Sequence, residues 1–165
     1  MIWGAVIVGI LVFVALFAPV LAPYDPFKLG IPYIKPCAEH PLGTNDVGQD
    51  LLSELIYGTR VSMFIGIFTA LIVTVLAALL ALVAGYYKGW VDRIVTALTN
   101  VTMGLPSLAL TVLLTAYLSP GKLSMIIAIS LTAWTGTSRI LRSRVVQLCE
   151  MPFVKIEKAI GMNDF

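Results

Sequence analysis

The sequence predicts an all-α integral membrane protein, on the strength of its composition and of its long charge-free runs. Hydrophobic residues make up 59% of the 165 residues and charged residues 12%. In an ordinary soluble domain, about 45–50% of the residues are apolar and about 25% are charged. The mean hydropathy is +0.95. This composition disfavours a soluble globular enzyme and excludes a disordered chain.

Four charge-free runs predict four transmembrane helices, because a spanning helix needs about 20 mainly apolar residues. The predicted spans are 2–22, 62–86, 94–118 and 123–141. The fourth is the shortest, and it reaches spanning length if its arginine-bearing end extends into the headgroup region. Residues 1–22 can also be interpreted as a signal peptide, but no basic residue precedes the run and Pro23 follows it, which favours a span.

Lysine and arginine residues are unequally divided between the two sides of these spans, which predicts the orientation. Segments 23–60 and 119–124 hold four basic residues, and 23–60 is net acidic. The other side holds Lys88, Arg93, Arg139, Arg142, Arg144, Lys155 and Lys158. That side is expected to be cytoplasmic, with both termini. Cys37 and Cys149 then face opposite sides, which excludes a disulfide between them.

Segment 23–60 is expected to be an ordered external loop, because it is long and rich in proline and glycine. Within it, 45–56 is predicted to form a helix on the outer membrane surface, with Thr44 or Asn45 as its N-cap. Leucines and Ile56 would form the apolar face of that helix.

The second and third spans carry patterns of small and polar residues. In the second, the small residues are Gly66, Ala70, Thr74 and Ala78, with Ala77, Ala81 and Gly85 beside them, a pattern typical of helix packing in lipid. In the third, a polar stripe comprises Thr96, Asn100, Gly104, Ser107, Thr111 and Thr115. The stripe either joins helices or lines a wet path. Gly104 and Pro106 predict a kink.

The segment 152–161 is predicted to be a short amphipathic cytoplasmic helix, opened by Pro152 and closed by Gly161. Phe153, Ile156 and Ile160 fall on one face. Two interpretations remain open, an anchor in the membrane interface and a contact with a partner protein.

No catalytic or metal-binding chemistry is indicated. His40 is the one histidine, the two cysteines lack ligand spacing, and no phosphate-binding loop with lysine and serine or threonine is present. We therefore expect no enzyme activity, metal or cofactor in this chain. The net charge of +2 does not indicate nucleic-acid binding.

Several motifs follow one another in a fixed order along the chain. They are His40-Pro41-Leu42-Gly43-Thr44-Asn45, Gly48-Gln49-Asp50, Tyr57-Gly58-Thr59-Arg60-Val61-Ser62, Gly85-Tyr86-Tyr87-Lys88-Gly89-Trp90-Val91-Asp92-Arg93, Pro106-Ser107-Leu108, and Trp134 with Ser138-Arg139 and Arg142. Together they resemble the motifs of a known family, the ABC importer permeases of the dipeptide/oligopeptide/nickel type, on their second-subunit branch.

The resemblance implies a type I ABC importer transmembrane fold in the cytoplasmic membrane of a prokaryote. It implies as partners a homologous permease subunit, two ATPase subunits and an external solute-binding protein, besides membrane lipid. Since such permeases have six spans, 61–165 would be a partial domain, with four spans in the chain and a coupling segment at 152–165. Peptides would be the first candidate solute, then nickel complexes.

The resemblance and the residue patterns together nominate site residues. Coupling to the ATPase is assigned to Phe153, Ile156, Glu157, Ala159 and Gly161, and the translocation path to Asn100, Ser107, Thr111 and Thr115. Three positions depart from the family pattern: Lys155 stands for the usual coupling glutamate, Gln49 for an arginine, and Glu54 for a frequent arginine.

Two other functions are compatible with the hydropathy. A membrane anchor or assembly protein would not explain the ordered motifs. A secondary transporter would usually place ionisable residues inside its spans, and none lies mid-span here. The permease interpretation is therefore favoured.

Overall fold

A computed structural model describes residues 2–160, apart from the side chains of Lys155, Glu157, Lys158 and Ala159. All regular structure in that range is helical. The helices are α1 (Ile2–Leu16), α2 (Ala18–Leu21), α3 (Leu51–Tyr87), α4 (Gly89–Gly104), α5 (Ser107–Tyr117), α6 (Lys122–Cys149) and α7 (Pro152–Ala159). The chain divides into two compact units, one ending at Ile67 and the other beginning at Phe68.

The first predicted span is interrupted near its end. α1 stops at Leu16, and the short α2 begins at Ala18 after a break at Phe17. Pro19 explains the break, because it lacks the N–H that would continue the hydrogen-bond ladder of α1. Pro19 instead lies in the first turn of α2, where that N–H needs no partner.

The predicted surface helix over 45–56 is wrong at its start and as a separate element. Residues 44–50 are not helical, and the helix that begins at Leu51 continues without a break to Tyr87. The Asn45 side chain caps a turn rather than a helix, since its Oδ1 accepts the N–H groups of Val47 and Gln49 at 3.0 and 2.9 Å. The apolar residues assigned to the surface helix therefore begin α3.

Within 2–160, α3 is the one helix that is long and apolar enough by itself to cross a membrane. The helices α4 and α5 reach that length and apolarity only when they are counted together, and the pair is bent by 89°. α1 is apolar but shorter. The prediction of four spans is therefore not confirmed by the helix lengths and compositions alone.

The core of the second unit lies between α3 and α6. Val73 and Ala77 of α3 pack with Trp134 of α6, which is 4% exposed. One and two turns later, Ala81 and Ala84 are fully buried, and a Cβ at Gly85 would lie 2.7 Å from Cγ1 of Val145. Small side chains thus permit close helix packing here. Of the small residues predicted to pack, Ala77, Ala81 and Gly85 lie on this face, whereas Gly66, Ala70 and Thr74 are exposed.

Candidate functional site

The break between α4 and α5 divides the predicted polar stripe. Gly104 is the last residue of α4, Leu105 is extended at φ −92° and ψ 140°, and Pro106 precedes α5. Proline disfavours the helical conformation in the residue before it, which accounts for the extended Leu105. Gly104 and Pro106 therefore lie at an 89° bend, a larger change of direction than the kink predicted within one span.

A cleft opens where this bend faces α6, with a volume of about 560 Å³. We call it the hydroxyl cleft, because Thr102, Ser107, Thr111, Thr132 and Thr135 line it among apolar side chains. Its other lining residues are Met103, Leu105, Leu108, Ile129, Ala133 and Gly136. No charged side chain of the described residues lines it. Ser107 and Thr111 were both predicted to border the path.

Thr111 connects α5 to α6 and also faces the hydroxyl cleft. Its hydroxyl donates to the carbonyl oxygen of Ser107 at 2.8 Å and lies 3.1 Å from the hydroxyl of Thr132. Thr115 is not among the lining residues, and its hydroxyl bonds back to the carbonyl oxygens of Thr111 and Val112. Thr111 therefore both contacts α6 and lines the hydroxyl cleft.

Asn100, the remaining predicted path residue, lies in a second cleft of about 320 Å³ between α4 and α6. We call this the arginine cleft. Its lining residues are Val95, Thr96, Thr99, Asn100, Ser138, Arg139 and Arg142. Asn100 Oδ1 accepts a hydrogen bond from Arg139 Nη2 at 2.9 Å. The structure therefore separates Asn100 from Ser107 and Thr111, which line the other cleft.

An ion pair that the sequence analysis missed adjoins the arginine cleft. Arg142 Nη2 lies 2.6 Å from Asp92 Oδ2, and Arg142 Nε contacts the other carboxylate oxygen. A pair of parallel hydrogen bonds between a guanidinium and a carboxylate is a strong and geometrically specific interaction. The only sequence signal was that both charges flank spans on the same predicted side, which does not pair them.

A second network that the sequence analysis missed organises the loop before α3. The carboxylate of Asp50 accepts hydrogen bonds from the Ser53 N–H at 2.8 Å and the Ser53 hydroxyl at 2.7 Å, and its Oδ1 lies 2.9 Å from His40 Nδ1. The Tyr24 N–H donates to Ser53 Oγ at 3.1 Å. Asp50 therefore acts as the N-cap of α3 and ties the loop to it.

The same contacts set the pKa of Asp50. Burial acts to raise the pKa of this carboxyl, but the hydrogen bonds from His40 and Ser53 favour the charged form and outweigh burial. The pKa consequently lies below its ordinary value.

Gly48, two residues before Asp50, has φ +82°, and a Cβ there would lie 2.2 Å from the carbonyl oxygen of Gly30. This turn therefore requires glycine.

The predicted coupling residues lie on and after α7. Phe153 and Ile156 of α7, with Ile160 just beyond it, are 55%, 60% and 69% exposed. Gly161 lies outside the described residues, as do the side chains of Glu157 and Ala159. The apolar face of α7 is therefore uncovered over the part of it that is described.

In residues 2–160, one helix is long and apolar enough to cross a membrane, and two clefts lined in part by hydroxyl side chains open against α6. The chain belongs to the family described as the binding-protein-dependent transport system inner membrane component, whose model matches residues 77–165. Residues 1–47 match the N-terminal TM domain of oligopeptide transport permease C. The predicted resemblance to ABC importer permeases of the peptide type is confirmed.

Curated relatives align along almost the whole chain. The dipeptide transport system permease protein DppC of Bacillus subtilis is 32% identical over 98% of this chain and 51% of the relative. The glutathione transport system permease protein GsiD of Pectobacterium atrosepticum is 29% identical over 94% and 53%. The oligopeptide transport system permease protein OppC of Bacillus subtilis is 29% identical over 96% and 52%. The chain spans about half the length of these relatives.

Proposed function

We propose that this protein is a permease subunit of an ATP-driven importer that moves peptides or similar small solutes across the cytoplasmic membrane. Nickel complexes are the second candidate cargo. The single observation that carries the proposal is the hydroxyl cleft, which lies inside the family-matched segment 77–165. Its partners would be a homologous permease subunit, two ATPase subunits and an external solute-binding protein.

The lining of the hydroxyl cleft suits a solute rich in amide groups. The Ser107 hydroxyl can donate to a peptide C=O group or accept from an N–H group. The Thr111 hydroxyl donates to the Ser107 carbonyl oxygen, so it can accept from a peptide N–H group. Because no lining side chain is charged, no strong ion pair would hold a solute there. Weak, exchangeable contacts are what a path needs, since the solute must leave as well as enter.

We place the chain in the membrane with four spans at 2–22, 62–86, 94–118 and 123–141 and both termini in the cytoplasm. The bent pair α4 and α5 would supply the third. The unequal distribution of lysine and arginine supports this orientation. Under this topology, the network of Asp50 and His40 lies outside the cell and the arginine cleft lies at the cytoplasmic end.

We assign α7 to coupling with the ATPase subunits. A helix of eight residues is unstable alone in water, because isolated helices shorter than about 12–15 residues are marginal. Its exposed apolar face must therefore be covered for the helix to persist. A groove on the ATPase is the proposed cover, and the membrane interface is the alternative.

Peptide uptake by proteoliposomes that contain the complete transporter tests the proposed path. Ser107→Phe and Thr111→Phe should each abolish ATP-dependent uptake, because the larger side chain fills the hydroxyl cleft, while the subunits still co-purify. Val112→Phe is the matched control, since Val112 is 67% exposed on the same helix and does not line the cleft. Normal uptake by both cleft variants would show that the polar stripe serves only in helix packing.

A further inference from the structure

The two arginines of the arginine cleft differ in how their charge is balanced. Arg142 is held at two nitrogens by the carboxylate of Asp92. Arg139 donates to the neutral Asn100, and no carboxylate in the described part of the chain lies within 4.0 Å of it. Among the described residues, the cleft therefore has one positive charge without a counter-charge.

The contact between Arg139 and Asn100 leaves hydrogen-bond donors available. A guanidinium has five N–H donors and no acceptor, so the Asn100 amide must present its oxygen to Arg139. The Asn100 Nδ2 group then has no acceptor among the described residues. The neighbouring Thr99 hydroxyl already donates to the Val95 carbonyl oxygen at 2.8 Å. Among the described residues, the cleft donors without a protein acceptor therefore include those of Arg139 and Asn100, together with the Ser138 hydroxyl.

We propose that Arg139 and Asn100 bind a carboxylate, namely the free carboxyl group of the transported solute, near the cytoplasmic end of the path. This inference rests on the proposed function. A carboxylate has two acceptor oxygens and a negative charge, which match the planar guanidinium fork and the adjacent amide N–H group. Arg139 is exposed, so the contact is weak, in the range of exposed ion pairs, or about two- to fivefold in binding.

Protection of Arg139 from an arginine-specific reagent tests the site directly. The purified protein in detergent is treated with phenylglyoxal, and modification is followed by peptide mass spectrometry. Glycylglycine should protect Arg139 from modification at a concentration about two- to fivefold lower than glycylglycine amide requires. Arg144 is the internal reference, because it lies on the same helix, contacts Gln147 at 3.3 Å and does not line the cleft.

The variant Asn100→Asp provides a second test of the carboxylate site. It places a carboxylate beside Arg139, so added glycylglycine should give no further protection. Equal modification rates with the acid and the amide in the unmodified protein would overturn the inference. Protection of Arg139 by anionic phospholipid nanodiscs without any peptide would also overturn it, since the site would then belong to a lipid headgroup.

Peptide uptake by the complete transporter distinguishes a failure of this inference from a failure of the proposed function. Uptake of peptide together with unprotected Arg139 would refute the carboxylate site alone. Protection of Arg139 by the acid, without peptide uptake by the reconstituted transporter, would refute peptide import and leave a carboxylate-binding cleft without its assigned solute.

Discussion

Arg142 on α6 contacts both carboxylate oxygens of Asp92 on α4, although 50 residues separate them in the sequence. The side chains are 34% and 22% exposed, so water reaches the pair only in part. A two-point contact fixes the rotation of α4 relative to α6. It thereby keeps Asn100 of α4 opposite Arg139 of α6, two turns further along α4.

Removal of that ion pair should loosen α4 from α6. Asp92→Asn is expected to lower the stability of the protein by about 1–2 kcal/mol, between the values for exposed and buried pairs. Thermal unfolding in detergent, followed by circular dichroism, measures the effect. Lys88→Gln is the matched control, because the Lys88–Glu150 pair is longer, at 3.4 Å, and both its side chains are more than half exposed. Equal losses in the two variants would argue against a special role for Asp92.

The start of α3 should lose stability in acid. The pKa of Asp50 is below its ordinary value of 3.8 in the folded protein, so folding favours the charged form. The resulting stabilisation is complete above pH 3.8 and is lost as the pH falls through the lower, folded pKa. Asp50→Asn keeps an N-cap side chain and should flatten this acid limb in thermal unfolding profiles.

Asp46→Asn serves as the control for the acid limb. Asp46 is an exposed carboxylate in the same loop, outside the contacts around Asp50. Its replacement should leave the acid limb as it is in the unmodified protein. An acid limb that persists in Asp50→Asn would show that another group causes it.

Gly85 should tolerate no side chain while Val145 is present. A Cβ would lie 2.7 and 2.9 Å from two Val145 atoms, so Gly85→Ala forces α3 and α6 apart and should cost about 1–3 kcal/mol. The double variant Gly85→Ala with Val145→Ala should recover part of that loss in a double-mutant cycle. Gly66→Ala, where a Cβ meets nothing within 4 Å, should be neutral or stabilising. Additive effects of Gly85→Ala and Val145→Ala would disprove the contact.

The proposed orientation places the two cysteines on opposite sides of the membrane. On intact cells, an impermeant maleimide should label a variant that retains only Cys37, which is exposed, and spare one that retains only Cys149. Cys149 is partly exposed and should react once the cells are permeabilised. The reverse labelling pattern would invert the topology.

The exposed face of α7 should be needed for coupling rather than for assembly. Phe153→Asp puts a charge on the face proposed to contact the ATPase, so solute-stimulated ATP hydrolysis should fall while the subunits still co-purify. Phe27→Asp is the control, since Phe27 is 80% exposed in the predicted external loop. Unchanged stimulated hydrolysis in Phe153→Asp would leave α7 as a membrane anchor.

Hydropathy alone predicted the helical class and the helix over 62–86, which is part of α3. A long charge-free run has few alternatives to a helix in lipid. The start of α3 was missed because Asn45 and Asp50 are both good N-cap residues. Which of them caps the helix depends on contacts with distant residues, namely His40 and Tyr24, and periodicity does not report such contacts.

The two clefts show the same limit of prediction from sequence. Pro106 marks a break in the sequence, but the angle of 89° depends on how α4 and α5 pack against α6. The polar stripe predicted correctly that Ser107 and Thr111 are polar neighbours on one helix. It could not assign Asn100 to Arg139, 39 residues away, because that pairing exists only after the helices pack.

The contact between His40 and Asp50 also gives the protein an internal spectroscopic probe. The chain contains one histidine, so its imidazole produces one set of nitrogen resonances without overlap from other histidines. Its Nδ1 lies 2.9 Å from the carboxylate that caps α3, and its ring centroid lies 4.9 Å from that of Tyr24. A change in this loop when another protein docks would therefore shift a single assigned signal in isotope-labelled protein, with no probe group attached to a side chain.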